Sequence, residues 1–159
     1  MFRYIVFIGF FTIVIFSKNI HFLEEKYYSA LDSTFQKRGN IHFSKDEIEI
    51  VYEEDKTRLT VKGDILMTQK GKNKKELDLN KKPVIKMFFI LFEAIYFEKK
   101  DILQSYFHIT NKEGVSTLIP KKDIAQYIKS VRYYKTTKKL NFLQINLKNS
   151  DRIRIEEIR

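Results

Sequence analysis

The chain has 159 residues, a net charge of +10, an aromatic content of 14% drawn from Phe and Tyr alone, and no cysteine. These numbers exclude disulfide cross-links, cysteine-bound metals and a lipid-modified cysteine, and they leave one hydrophobic core to hold the fold. The excess charge invites a nucleic-acid reading, but the lysines are scattered, with small groups at Lys72, Lys74 and Lys75, at Lys81 and Lys82, and at Lys138 and Lys139. No arginine-rich helix or nucleic-acid motif accompanies them, so no nucleic-acid partner is expected. Attraction to anionic membrane surfaces or acidic partners, or simple solvation, accounts for the charge.

The chain opens with one positive charge at Arg3, followed by an apolar run over residues 4–16 and a polar break at Ser17 and Lys18. That layout is the pattern of a secretory signal peptide. As a helix the run spans about 20 Å, short against a hydrocarbon core of roughly 30 Å. The expected organisation is a signal peptide over residues 1–18 and a functional domain over residues 19–159. A cut after Ser17 would leave bulky Ile15 at the third-last position, so an uncleaved inner-membrane anchor stays open, as does a core helix.

Beyond the leader most of the sequence alternates with period two, the mark of half-buried strands. Ile41 and Phe43 follow the turn signal Gly39-Asn40, and Ile48, Ile50 and Tyr52 alternate with Glu47, Glu49 and Glu53. Leu59 and Val61 alternate with charged and polar neighbours, and Gly63-Asp64 turns the chain into residues 65–68. Leu77 and Leu79 alternate again. Later come residues 115–119 before Pro120, then Leu143, Ile145 and Leu147, then Ile153 and Ile155.

Residues 83–97 break this rhythm. They begin with Pro83, suited to a first helical turn, and are apolar nearly all round, which predicts a helix buried on more than one side. Residues 101–107, with Asp101 as a possible cap, and residues 123–128 are shorter helical candidates. The expected fold is mainly β with α: an incomplete antiparallel β-barrel, or curled sheet, covered by one main apolar helix and short helices.

Catalytic groups are sparse. His21, His42 and His108 are far apart, the five glycines form no phosphate loop, and no nucleophile elbow occurs. Glu47, Glu49, Glu53, Glu54 and Asp55 read as the wet face of a strand and its turn. No catalytic residue, metal site or cofactor is expected, and the apolar content points to binding.

In order and spacing the elements resemble the LolA-type outer-membrane lipoprotein carriers, including their divergent relatives. Phe22-Leu23-Glu24-Glu25-Lys26, Leu31 and Gly39-Asn40-Ile41-His42-Phe43 resemble the family's opening strand pair, although Glu24 stands where Gln is usual. Residues 48–52 and 59–67 are similar to its next strands, residues 83–97 to its central helix, and Ile102, Leu103 and Phe107 to the motif after it. Leu118-Ile119-Pro120 resembles the end of a later strand, and residues 142–147 and 152–155 the pair that ends the sheet. The family's functional arginine has no counterpart here.

The resemblance implies an incomplete barrel whose apolar hollow accepts acyl chains. Burial gains roughly 0.8 kcal/mol per methylene, enough for a shielded hollow to solubilise a lipid that water rejects. The residues expected to line it are Phe88, Phe89, Leu91, Phe92, Ile95 and Tyr96 from the helix, with Ile50, Tyr52 and Met67 from the sheet. The implied protein is a monomeric periplasmic carrier that takes lipoprotein or lipid acyl chains from an inner-membrane donor complex to an outer-membrane acceptor. The alternative is an inner-membrane-anchored interaction domain with a filled core and no lipid ligand.

Overall fold

A computed structural model of the chain describes residues 18–158. The expected leader therefore lies outside the described residues except for Lys18, which opens the first strand. Eleven strands form one antiparallel sheet. The first six are β1 (Lys18–Tyr28), β2 (Ser33–Phe43), β3 (Ile48–Tyr52), β4 (Arg58–Lys62), β5 (Ile65–Lys70) and β6 (Asn73–Asp78). Two helices follow, α1 (Pro83–Tyr96) and α2 (Lys100–Tyr106). The last five strands are β7 (Phe107–Lys112), β8 (Val115–Pro120), β9 (Ile128–Lys135), β10 (Leu140–Leu147) and β11 (Arg152–Glu157).

The strand order is β6-β5-β4-β3-β2-β1-β11-β10-β9-β8-β7. Two meanders thus meet at the β1–β11 pair, and the sheet curls without closing, since β6 and β7 remain its edges. The helical segment connects these two edges, so the chain crosses the molecule once between one rim of the sheet and the other. Edge strand β6 is wet and lysine-rich, with Lys74 and Lys75 exposed, which discourages pairing with another chain.

Alternation puts one face of each strand inside. Ile20 and Phe22 on β1, Ile41 and Phe43 on β2, Ile48, Ile50 and Tyr52 on β3, and Val61 on β4 are all buried. Leu118, Val131, Leu143, Ile145 and Ile155 continue that face through the second meander. Gly39 is required where β2 passes under the Phe22 ring. A methyl group there would come within 2.5 Å of the Val51 carbonyl oxygen and 3.0 Å of the ring. Gly39→Ala is therefore expected to cost about 1–3 kcal/mol through overpacking, measured as a lower urea midpoint.

Helix α1 caps one end of the curl. Pro83 sits in its first turn, and Met87, Phe89, Leu91, Phe92, Ala94, Ile95 and Tyr96 are buried. Phe43, at the end of β2, stacks on Phe92 at 5.7 Å and meets Phe97 edge-on at 5.2 Å. Tyr96 donates to a Glu157 carboxylate oxygen at 3.0 Å, and the same oxygen accepts from the Leu140 amide at 2.9 Å. The helix is thereby tied to β10 and β11. At its other end Lys86 pairs with Asp64 in the β4–β5 turn at 2.8 Å.

Some elements differ from expectation. Residues 123–127 form turns rather than a helix and Ile128 opens β9, because the stretch between Pro120 and β9 is too short to propagate a helix; Ile124 and Ile128 are nonetheless buried. Strands β7 and β9, which no alternation announced, complete the second meander. Among the described residues no helix is long and apolar enough to cross a membrane.

Candidate functional site

Strand register brings an unusual group of side chains to the inner face at the end opposite α1. On β1 the inward positions continue past Phe22 to Glu24, Lys26 and Tyr28. Across the hairpin, Glu24 faces Lys37 and Lys26 faces Phe35. A single 3-10 turn, Ser29–Leu31, joins the two strands and carries Leu31 to the tip. With Tyr52 from β3 and Leu59 from β4, these residues line an open cavity of about 500 Å³.

The floor of the cavity is polar and fully paired. Glu24 is only 4% exposed. Its carboxylate accepts a hydrogen bond from the Tyr52 hydroxyl at 3.0 Å and an ion pair from Lys26 at 3.2 Å. Burial, reinforced by the Glu24 charge, raises the Tyr52 phenol well above its ordinary range and keeps it a donor at any physiological pH. Phe22 packs edge-on against the Tyr52 ring at 5.9 Å, and the Lys37 ammonium lies 4.9 Å from its centre. Asp55 in the β3–β4 turn holds Lys37 at 3.5 Å and Lys70 at 3.2 Å.

The rim is apolar and open. Tyr28 is 40% exposed, Phe35 54% and Leu31 65%, and the Tyr28 and Phe35 rings meet edge-on at 5.7 Å. These are three of six large hydrophobic residues exposed in the described chain, gathered around one opening. Asp151 in the β10–β11 turn anchors the rim: it accepts from the Ser29 amide at 2.8 Å and from the Ser29 hydroxyl at 3.1 Å. The arrangement offers apolar walls, a rim that chains can cross, and two ammonium groups near a buried carboxylate.

Those turn carboxylates fix a pH dependence. Hydrogen bonds from the Ser29 amide hold Asp151 below the usual carboxylate range, and bonds from Thr57 do the same for Asp55. A depressed folded-state pKa contributes stability above the unfolded value near 4 that is lost as pH falls through the folded value. The urea midpoint is expected to stay level from about pH 7 to 5 and to drop below about pH 4, with a shallower drop in Asp151→Asn.

Of the residues expected to line a hollow, only Tyr52 reaches this cavity. Phe89, Leu91, Phe92, Ile95 and Tyr96 are buried in packed contacts at the α1 end, and Phe88, half-buried, stacks on Phe92 at 5.8 Å. Ile50 lies on the inner face but deeper than the opening. Met67 is on the outer face: it stands opposite Thr60 and Glu76, while its neighbour Leu66 takes the inward position beside Val61. Glu24, Lys26, Tyr28, Leu31, Phe35, Lys37 and Leu59 join Tyr52 in the lining and lie outside the expected set. The signal that could have found them is a run of inward β1–β2 positions carrying charge beside exposed aromatics.

Other openings occur among the described residues. A groove of about 680 Å³ beside α2 is formed by Tyr106, His108 and residues 120–125, and His108, Lys122 and Asp123 there are exposed. A smaller recess of about 210 Å³ borders Phe43 and Phe97. The histidines are scattered: His21 contacts Glu53 at 2.8 Å and His42 contacts Asn19 at 2.6 Å. No family model matches the chain, and no curated protein matches it.

Proposed function

We propose that this protein is a carrier that shields the acyl chains of a lipoprotein or related lipid and moves it between membranes, after export by its leader. The sheet is read as an incomplete barrel with α1 as its stopper. The observation that carries the reading is the 500 Å³ cavity at the uncapped end, apolar on its walls and framed by exposed Tyr28, Leu31 and Phe35. Chains enter over that rim from the donor and leave toward the acceptor according to differential affinity, with no bond made or broken. Each methylene buried contributes roughly 0.8 kcal/mol, so a modest length of chain outweighs the cost of ordering it.

Native mass spectrometry of protein secreted to the periplasm and purified without detergent tests the reading. The expected result is a folded protein carrying acyl lipid. A folded protein that is lipid-free in the native spectrum, and that takes up no added lipid, would contradict it. N-terminal sequencing of the same sample separates a shuttle cut near Ser17 from an anchored form.

A further inference from the structure

We infer that the cavity selects an amphiphile with an anionic headgroup, the anion being held between Lys26 and Lys37. This rests on the acyl-binding reading above and deepens it.

Charge decides the headgroup. Among the residues lining the cavity, two ammonium groups stand against one carboxylate. That carboxylate is already committed, since Tyr52 and Lys26 occupy both Glu24 oxygens and the residue is almost fully buried. With Glu24 only 4% exposed, a cationic headgroup reaches its carboxylate only past Lys26, which repels it, or past the Tyr52 hydroxyl, a buried donor that would be left unpaired. The lysines are not committed in the same way. Lys26 has three donors, makes one ion pair and is 37% exposed. Lys37 makes the longer of the two lysine contacts to Asp55, at 3.5 Å, and its ammonium lies over the Tyr52 ring inside the opening. An anion at the polar floor can bridge both lysines while Glu24 keeps its partners, in surroundings less polar than bulk water, where such contacts strengthen.

The test measures binding to the full chain of four sixteen-carbon probes below their aggregation concentrations: palmitate, palmitoyl lysophosphatidate, monopalmitoylglycerol and hexadecyltrimethylammonium. At least one anionic probe is expected to bind tenfold or more tighter than the neutral one, with the cation weakest. The two anions together distinguish a carboxylate from a phosphate headgroup. In Lys26→Gln/Lys37→Gln the advantage of the anionic probes over monopalmitoylglycerol should vanish. Lys37→Gln alone, which leaves the Glu24 pair intact, should lose part of the advantage and serves if the double variant melts early. Equal binding of anionic and neutral probes, or an advantage that survives both substitutions, overturns the inference and leaves acyl binding standing. Failure of all four probes to bind overturns the acyl reading itself.

Discussion

A Phe92→Ala variant is expected to lose about 3–5 kcal/mol of stability while each folded molecule keeps its capacity for an acyl ligand. Phe92 is fully buried where α1 meets the sheet. Its ring stacks on Phe43 at 5.7 Å and on Phe88 at 5.8 Å, and touches the Tyr96 ring at 5.0 Å. Removing it opens a cavity that these neighbours can only partly fill, because Tyr96 is tied to Glu157 and Phe43 is fixed in β2. Urea unfolding gives the stability loss, and ligand titration at low temperature, corrected for folded fraction, gives the retained capacity. Loss of binding in the folded fraction would mean that α1, not the open end, holds the ligand.

Phe35→Asp should show the opposite pattern. Phe35 is 54% exposed at the rim, so its replacement changes stability by less than about 1 kcal/mol. It nevertheless removes an aromatic wall and places a carboxylate beside the entering chain. Loss of about 2 kcal/mol of apolar contact corresponds to a roughly thirty-fold weaker complex. A fluorescent fatty-acid titration alongside a thermal melt reads both quantities from one preparation. Taken together, the two variants separate the structural role of α1 from the binding role of the β1–β2 hairpin.

The parts of the fold that the sequence makes legible are those whose inner faces are purely apolar. Ile48, Ile50 and Tyr52 alternate cleanly, as do Leu143 and Ile145, and both segments are strands with those residues buried. Residues 83–97 lack alternation and begin with proline, and α1 occupies them through Tyr96. The β1–β2 hairpin shows its alternation only at Ile41 and Phe43, and Gly39-Asn40, which reads as a turn signal, lies inside β2. Its inward positions include Glu24, Lys26 and Lys37, which break the binary pattern where the cavity is built.

Two features needed three dimensions. In residues 65–67 three apolar side chains follow one another, so sequence alone does not say which faces inward; pairing with β4 turns Leu66 in and Met67 out. The apolar helix reads as the border of a hollow, yet the rings of Phe88, Phe92 and Tyr96 pack against one another, and Phe92 and Tyr96 pack against Phe43. Apolarity announces burial but not whether the buried space is empty. The candidate cavity lies where the inner face turns partly charged and the rim aromatics stay exposed.

Photo-crosslinking with a sixteen-carbon fatty acid carrying a diazirine near its chain end, followed by peptide mapping, tests the location of the binding site most directly. Adducts are expected on Tyr28, Leu31, Phe35 and Leu59, suppressed by excess unlabelled palmitate. Competed adducts confined to α1, to the groove beside α2 or to the outer face around Met67 would contradict the account.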